Sequence, residues 1–375
     1  MRLLRALAIL LTGIGAAGTI QTGLAQTANR FPPPKSIFTD VKYKEPKEKS
    51  AIEFGPGNTI IVRGEGTGSP KTFNVLSFSA DGKLLAAGKN FGRVVVWHMP
   101  SQQILCAIEG SQGQVTAVAF SSDGQFLATT GQGDKLSLKL WHLPECKLAH
   151  TYRFTHSFIK SLAFVPKSSS LVVWDNASTT HVLNSNTEDP PLELKGAFRP
   201  VLSEDGTMMI TTNMAEFALR RTSDWTQQRT LPRGPQQPFV LTFDLQSDRL
   251  VAASLLPGRF EVRRISTGET LPNGPQPPLP KYDGSSEGFV AIRPDTSLVF
   301  GAIGGRLWVW DIENGQTCVS DEMYNGSGAL SPDGTILVGG RSNSILRPNE
   351  APEGIWLWET KELLTNCGFT AGGTK

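Results

Sequence analysis

A short motif, Ser-x-Asp-Gly between two apolar runs, recurs along the chain and restricts its fold more than any other feature. Residues 78–86 read FSADGKLLA and residues 120–128 read FSSDGQFLA, and the motif returns at residues 203–206 and 331–334. Asp-Gly between short apolar runs is a strong hairpin signal. Weaker copies begin at Phe164, Phe243 and Ile292, so the chain repeats one unit seven times at intervals of about forty residues.

A further strand signal follows each hairpin. Four of these strands end in tryptophan: residues 94–97 (VVVW), 138–141 (LKLW), 307–310 (LWVW) and 355–358 (IWLW). Residues 217–221 (FALRR) and 260–264 (FEVRR) occupy the same place in two middle units, and a fourth short run closes most units. Such a unit is apolar on both faces and cannot bury both alone, whereas stacked neighbours can. The sequence therefore predicts an all-β ring of seven units, each of four antiparallel strands.

These units resemble the blades of the WD-repeat (WD40-like) β-propeller family. The Ser-x-Asp-Gly hairpins and the Trp310-Asp311 dipeptide carry the resemblance, which covers about residues 58–365. It implies a seven-bladed β-propeller closed by the N-terminal strand, for which residues 59–62 are the candidate. The chain departs from the family, because its Gly-His pairs are missing and its turn aspartate survives at best as Asp134. Arg220 and Arg263 replace two of the tryptophans.

The N-terminal residues are typical of a secretory signal peptide. Arg2 and Arg5 precede a short apolar run at residues 6–17, and small residues precede a cleavage point before Gln26. We predict a signal peptide at residues 1–25, a flexible linker at 26–58, the propeller at 59–365 and a C-terminal tail at 366–375. The protein is then periplasmic or secreted, without stable membrane insertion after cleavage. The alternative is an uncleaved anchor.

The four cysteines, Cys106, Cys146, Cys318 and Cys367, form no CxxC pair. This spacing gives no support to a zinc site or a thioredoxin-like motif. In an exported protein the four are compatible with one or two disulfides. They are equally compatible with free buried thiols, and the sequence does not fix a pairing.

A proline-rich phrase occurs twice, as TLPRGPQQP at residues 230–238 and TLPNGPQPP at residues 270–278. Proline cannot donate to a sheet ladder, so it belongs at an outer edge or in a loop. We interpret the phrases as equivalent positions near the fourth strands of two consecutive units, where proline protects the sheet edge. A pair of polyproline-like patches for a partner is the alternative.

No catalytic constellation stands out. The five histidines lack metal-ligand spacing, no nucleophile elbow or phosphate-binding loop is present, and we expect neither cofactor nor metal. A formal net charge of +2 does not favour nucleic-acid binding. We therefore predict a non-catalytic, exported platform that binds a protein or peptide partner.

One alternative is a propeller enzyme, of the lyase, lactonase or quinone-dependent dehydrogenase type, with its site in the central channel. It would need several His, Glu or Asp residues at the starts of the first strands. Those positions are Asn74, Gln114, Lys160, Pro200, Val240, Gly288 and Gly328, with one ionisable group. Binding of a wall polysaccharide is a third hypothesis, but no series of exposed aromatic residues is recognisable.

The last unit contains an extra segment between its second and third strands, at residues 341–353 (RSNSILRPNEAPE). Insertions in one repeat map to one face of such a fold, and this face is often the binding face. Arg341, Asn343, Arg347 and Asn349 are therefore the candidate binding residues. The alternative is a tolerated surface insertion.

Overall fold

The structure is a computed structural model. It describes residues 50–54, 60–64, 73–89, 92–101, 103–132, 137–154, 158–187, 189–234, 238, 240–254, 259–272, 275–277, 288–294, 296–303, 306–320, 328–341 and 354–369. Two strands, β1 (Ser50–Phe54) and β2 (Ile60–Gly64), form an N-terminal hairpin. Seven antiparallel blades then follow in chain order around a ring, which confirms the predicted seven-bladed β-propeller.

The strands of the first four blades run from the innermost to the outermost position in chain order. Blade 1 contains β3 (Phe73–Phe78), β4 (Leu84–Lys89), β5 (Arg93–His98) and β6 (Gln103–Glu109). Blade 2 contains β7 (Val115–Phe120), β8 (Phe126–Gly131), β9 (Ser137–His142) and β10 (Lys147–Arg153). Blade 3 contains β11 (Ile159–Phe164), β12 (Ser170–Asp175), β13 (Thr179–Asn184) and β14 (Leu192–Lys195). Blade 4 contains β15 (Phe198–Leu202), β16 (Met208–Thr212), β17 (Glu216–Arg221) and β18 (Gln227–Pro232).

The last three blades are less regular. Blade 5 contains β19 (Val240–Asp244), β20 (Arg249–Ser254) and β21 (Arg259–Arg264). Blade 6 contains β22 (Gly288–Ile292), β23 (Leu298–Ile303), β24 (Arg306–Asp311) and β25 (Thr317–Val319). Blade 7 contains β26 (Gly328–Leu330), β27 (Ile336–Arg341) and β28 (Gly354–Glu359), and the short helix α1 (Thr360–Asn366) follows β28. Within the described ranges, blades 5 and 7 therefore have three paired strands.

The ring closes because blade 7 packs on blade 1. Val338 and Leu357 of blade 7 share one apolar cluster with Leu85 and Trp97 of blade 1. The N-terminal strand β2 lies beside β28, the last strand of blade 7. The backbone pairing described for β2 is with β1, which lies within the segment predicted as a linker.

The C-terminal boundary also differs from the sequence expectation. Cys367 and Phe369, in the predicted tail, are buried in the apolar cluster between blades 6 and 7. The helix α1 ends next to them and carries buried Leu363 into the same cluster. The structured part of the chain therefore extends into the segment that the sequence assigned to the tail.

Each strand in the middle of a blade buries side chains on both faces. On β5, Trp97 packs toward blade 7, whereas its neighbour Val96 packs toward blade 2. On β24, Trp308 and Trp310 share the face toward blade 5, and Val309 between them faces blade 7. Burying a side chain of this size contributes roughly 1.5–3 kcal/mol. The interfaces between blades therefore supply the main stabilisation of the ring.

The apolar cluster between blades 3 and 4 is the smallest of the seven. Its buried members are Val165, Val172 and Met209. The clusters at the other interfaces each contain eight or more buried residues. The interface between blades 3 and 4 thus has less apolar packing than the rest of the ring.

The repeated motif forms the turn between the first two strands of a blade. In blade 2, Ser121 Oγ donates to Asp123 Oδ1 at 2.5 Å and accepts the Phe126 N–H at 2.9 Å. Asp123 Oδ1 also accepts the Gln125 N–H at 3.0 Å. Gly124 has a φ of +69°, a left-handed conformation that glycine adopts without steric cost. Each residue of the motif therefore has a distinct role in closing the hairpin.

The same bonds recur in blades 1, 4 and 7, where the serine donates to the aspartate at 2.6–2.7 Å. The hydrogen bond from Ser121 lowers the pKa of Asp123 below its usual value, and the Gln125 N–H adds to this effect. At Asp81, Asp205 and Asp333, partial burial raises the pKa, but the serine and backbone hydrogen bonds outweigh it and the net pKa is lowered. The turns are thus built around ionised carboxylates.

Two disulfides connect neighbouring blades. Cys106 on β6 is bonded to Cys146 in blade 2, and Cys318 on β25 is bonded to Cys367 beyond α1. The alternative of free thiols is therefore wrong in this structure. In the strand register, Cys106 lies opposite Val96 and Cys318 lies opposite Val309. The two cysteines therefore occupy equivalent positions in two blades. The two disulfides close loops of 40 and 49 residues. A disulfide that closes a loop of this length stabilises a fold by roughly 2–4 kcal/mol.

The twin proline-rich phrases both begin at the outer edge of their blades. Residues 230–232 end β18, the outermost strand of blade 4, and Thr270 forms a single bridge to Arg263 at the edge of blade 5. Beyond that bridge, the Gln276 side chain replaces a strand. Its Oε1 accepts the Phe260 N–H at 2.9 Å and its Nε2 donates to the Phe260 carbonyl at 2.9 Å. The phrases therefore lie at sheet edges, and in blade 5 an amide side chain covers part of the edge.

The turn carboxylates predict a specific loss of stability in acid. A carboxylate with a lowered folded-state pKa stabilises the fold above its unfolded pKa of about 3.9, and this contribution disappears as the pH falls through the folded pKa. Asp123→Asn should lower the free energy of unfolding by about 0.5–1 kcal/mol at pH 7. Its difference from the unsubstituted protein should shrink below about pH 4. Urea denaturation at pH 7 and pH 3 measures both effects.

Asp189→Asn is the matched control, because Asp189 is exposed in a loop and the substitution removes the same charge. An equal loss of stability in the two variants at pH 7 would contradict the role assigned to the turn.

Candidate functional site

The innermost strands of the first four blades share an irregularity near their starts. The pairing register shifts between Phe73 and Val75, Val115 and Ala117, Ile159 and Ser161, and Phe198 and Val201. A β-bulge leaves a residue unpaired and redirects its side chain. The residues within these bulges are Asn74, Thr116, Lys160 and the pair Arg199-Pro200. The bulges of blades 2, 3 and 4 therefore present Thr116, Lys160 and Arg199 at the start of the channel.

Arg199 is the unusual member of this set. Its φ is +49°, a left-handed conformation in an arginine, and in its bulge Arg199 and Pro200 lie opposite the single residue Thr211. The guanidinium lies over the Trp174 ring of blade 3, with Cζ 5.2 Å from the ring centroid. Burial lowers the pKa of the Arg199 guanidinium. A strained backbone thus holds a partly desolvated cation against the neighbouring blade at the smallest interface.

The bulges border a cavity of about 470 Å³ at the centre of the ring. Five residues predicted from the starts of the first strands line it: Gln114, Lys160, Pro200, Val240 and Gly288. Thr116, Gln132 and Ser161 add polar groups, and Trp174 and Phe289 add aromatic surface. Lys160 and Arg199 are the charged members of this lining, which contains no carboxylate among the described residues. The described lining is therefore mainly polar and carries two cationic side chains.

Two large apolar side chains are exposed on the same side of blades 3 and 4. Phe158, which precedes β11, is 50% exposed, and Met214, in the turn between β16 and β17, is 75% exposed. Links between blades and turns between second and third strands lie at one end of the ring, which we call the link-side face. Hydrogen bonds between Phe158 and Asn176 fix the first of these positions. We call Phe158, Lys160, Trp174, Arg199 and Met214 together the channel mouth.

The other large exposed apolar side chains lie elsewhere. Leu105, Leu148 and Leu192 belong to the outermost strands β6, β10 and β14. These positions are at the outer rim of three different blades. They are scattered single residues of the kind that every soluble surface contains.

The candidate binding residues of the last blade remain a hypothesis. Arg341 is the final residue of β27, so its backbone reaches the link-side face. Asn343, Arg347 and Asn349 lie outside the described residues. The prediction that this segment forms part of a binding surface therefore stays a prediction.

The hydrogen-bonded network expected of the family survives in altered form. In blade 2, Trp141 Nε1 donates to Thr129 Oγ1 at 3.0 Å, and Thr129 Oγ1 donates to the Gly110 carbonyl at 2.9 Å. Asp134, the turn aspartate named from the sequence, lies outside the described residues.

A second turn aspartate, which the sequence analysis missed, is buried in blade 3. Asp175 Oδ2 is 2.9 Å from His181 Nε2, and Asp175 Oδ1 accepts the Thr179 N–H at 2.9 Å. The short Asp-Asn turn between β12 and β13 was the available signal.

Arg199 was also missed by sequence analysis. The sequence predicts its neighbour Pro200 as the position that faces the channel. Both residues line the central cavity. No sequence signal marks the left-handed conformation, since glycine and asparagine are the residues that usually indicate it. The bulge at Arg199-Pro200 in blade 4 becomes visible only from the strand pairing.

Two further features of the described residues bear on function. No group of three or more His, Cys, Asp or Glu side chains among them is placed to hold a metal ion. No helix within them has the length and apolar character needed to cross a membrane.

Comparisons with known proteins agree with this architecture. Residues 102–142 match the family model described as "WD domain, G-beta repeat". This stretch runs from the outermost strand of blade 1 through the third strand of blade 2. The crystal structure of the Myceliophteria thermophila Cps50 (Swd1) β-propeller domain is similar at a TM-score of 0.59 and 14% identity, over 78% of this chain and 99% of that domain.

Two curated proteins are similar over shorter stretches. Pre-mRNA-processing factor 19 homolog 2 of Arabidopsis thaliana is 32% identical over 26% of this chain and 18% of its own length. Autophagy-related protein 18 of Schizosaccharomyces pombe is 27% identical over 28% of this chain and 28% of its own length. The chain thus spans less than a third of either relative.

The fold, the repeated hairpins and the matched repeat define a class, that of ring-shaped WD-repeat proteins. The seven blades, the matched repeat and the similar solved propeller support a WD-repeat β-propeller. Propellers of this family generally bind protein partners.

The left-handed conformation of Arg199 leads to a prediction about stability. Arg199→Val should lower the free energy of unfolding by about 1–2 kcal/mol more than Arg199→Asn, because a β-branched residue is strained at positive φ and asparagine is not. Both substitutions remove the contact with Trp174, so their difference isolates the backbone effect. Urea denaturation followed by tryptophan fluorescence provides the measurement. Equal stabilities of the two variants would contradict the left-handed conformation of the backbone at Arg199.

Proposed function

We propose that this protein is a non-catalytic, exported platform that binds an extended segment of a partner protein at the channel mouth. The exposure of Phe158 and Met214 carries the proposal. They lie on the link-side face of adjacent blades, the face at which the first strands that line the central cavity begin. That cavity is large enough for a few side chains. Apolar groups held beside convergent polar groups are typical of protein-binding surfaces.

The rigidity of the ring supports the same proposal. The surrounding strands are held by interfaces on both sides, so the channel mouth is formed before a partner arrives. A preformed site reduces the ordering cost of binding. An extended segment fits such a site better than a folded domain does, because only a narrow group can enter the channel.

Export is the second part of the proposal. The N-terminal residues have the layout of a signal peptide. The two disulfides between blades support it, because such bonds persist in oxidising compartments. The periplasm and the extracellular medium are compartments of this kind.

Selection of peptides tests the binding site. Dodecapeptides selected by phage display on the immobilised protein should lose at least about tenfold in affinity for the double variant Phe158→Ser/Met214→Ser, because about two apolar contacts are lost. The matched control is Leu148→Ser/Leu192→Ser, which removes two exposed apolar side chains from the outer rim. Binding to the control should be unchanged. Selected peptides that bind both double variants equally would refute the assigned site.

The processed N-terminus tests export. Protein recovered from the host's periplasm or medium should begin at Gln26 and contain no alkylatable thiol until it is reduced. Ala25→Arg should leave the precursor uncleaved, because the cleavage site requires a small residue. Mass spectrometry of both forms measures the result. A cytosolic protein that begins at Met1 and has four free thiols would overturn this part of the proposal.

A further inference from the structure

We infer that Met214 is a site of reversible oxidation, and that conversion of its thioether to a sulfoxide weakens binding of the partner segment. This inference rests on the proposed function and adds the regulation of that site. It depends on the exposure of Met214, on the bonds that hold its turn and on the burial of other methionines.

Met214 is the most exposed large apolar side chain in the part of the chain that the structure describes. Its exposed fraction is 75%, and that of Phe158, the next most exposed, is 50%. A thioether side chain at this exposure adds little to the stability of the core. Methionine is frequent at surfaces that bind varied partners, because it is flexible and polarisable.

The turn that carries Met214 is held by hydrogen bonds. Asn213 Oδ1 accepts the Ala215 N–H at 2.7 Å and the Glu216 N–H at 2.9 Å. Arg233 Nη2 donates to the Met214 carbonyl. An asparagine that bonds the backbone ahead of it stabilises a turn locally. The sulfur of Met214 takes no part in these bonds, and the turn holds the side chain at the surface.

The other methionines of the described residues are protected by the fold. Met99 and Met209 are 7% and 0% exposed. Met208 is half-buried against the apolar cluster between blades 4 and 5. An oxidant must reach the sulfur, so oxidation follows exposure. We therefore expect Met214 to react before these three protected methionines.

The reaction is the transfer of one oxygen atom from hydrogen peroxide to Met214 Sδ. The O–O bond of the peroxide breaks, an S–O bond forms and water leaves. The sulfur loses the two electrons that the peroxide gains, so no further reactant is needed. A methionine sulfoxide reductase reverses the step, and a dithiol that becomes a disulfide supplies the two electrons.

Oxidation changes the polarity of the side chain where the proposed function requires an apolar contact. A thioether is a weak hydrogen-bond acceptor, whereas a sulfoxide is polar and chiral. A partner group that packs on Met214 and Phe158 would have to remove water from the sulfoxide without replacing its hydrogen bonds, which is unfavourable. Because the sulfur has no part in the bonds of the turn, the loss should be confined to binding.

Peptide mapping tests the site of oxidation. The folded protein is exposed to hydrogen peroxide, the oxidant is removed, and mass spectrometry measures the sulfoxide content at each methionine. Met214 should oxidise at least about tenfold faster than the three protected methionines. After denaturation in urea their rates should approach that of Met214, because only the fold protects them. Comparable rates in the folded protein would overturn the inference.

Peptide affinity tests the effect of oxidation on binding. The probe is a phage-selected dodecapeptide that contains no methionine or cysteine and that loses affinity for Phe158→Ser/Met214→Ser. Oxidation of the protein should weaken this peptide by at least about fivefold. The two methionine sulfoxide reductases, one for each sulfoxide epimer, should restore the affinity. Unoxidised protein given the same reductases and dithiol should keep its affinity, which separates the effect from reduction of the disulfides.

Met214→Leu and Met323→Leu form a matched pair of variants, and each is compared with itself before and after peroxide. Leucine has no sulfur, so peroxide should not change the affinity of Met214→Leu for the peptide. Met323, which lies outside the described residues, provides the same substitution elsewhere, and Met323→Leu should keep the full sensitivity. An equal loss after peroxide in Met214→Leu and in the unsubstituted protein would show that the inference is wrong.

Two outcomes separate the inference from the proposed function. If Met214 is fully converted to the sulfoxide and the peptide binds as before, the platform stands and the regulation is wrong. If every selected peptide binds Phe158→Ser/Met214→Ser as tightly as the unsubstituted protein, the proposed site is refuted and the inference falls with it.

Discussion

The whole ring depends on the burial of both faces of each blade against its neighbours. Trp97 and Val96, adjacent on one strand, belong to the apolar clusters of two different interfaces. A blade taken alone would leave both of these side chains exposed to water, so no blade is stable by itself. Closure is the condition under which every such face is covered. The contact between blades 7 and 1 is therefore as necessary as any contact between consecutive blades.

The sequence was sufficient to predict this architecture because the signals are local. The Ser-x-Asp-Gly turns are determined within six residues, and Ser121 and Asp123 make the bonds that the motif requires. The disulfides could not be paired in the same way. Cys106 and Cys146 approach each other only because blades 1 and 2 stack, and that stacking is not encoded near either residue. The pairing of β1 with β2 is local, but it was not predicted because apolar residues are sparse across residues 26–58.

Local sequence signals predict only part of the candidate site. Lys160 could be predicted, because it lies at the start of a recognisable first strand. Arg199 could not, because its place in the channel depends on a β-bulge and on a left-handed backbone. Phe158 and Met214 look like core residues by composition, and only the three-dimensional arrangement leaves them exposed. Much of the site therefore consists of residues at which the chain departs from its repeat pattern.

The position of the site at the smallest apolar interface follows from the closed ring. Blades 3 and 4 share only a small buried cluster, yet each is also held by its other neighbour. Loss of packing at one interface of a ring separates no blade unless a second interface opens as well. The disulfides tie blade 1 to blade 2 and blade 6 to the segment after blade 7, so they reinforce the interfaces on both sides of the junction between the chain ends. The interface between blades 3 and 4 lies across the ring from this junction. Because closure is reinforced at the junction, that interface can tolerate a strained arginine and polar bulges in place of apolar packing.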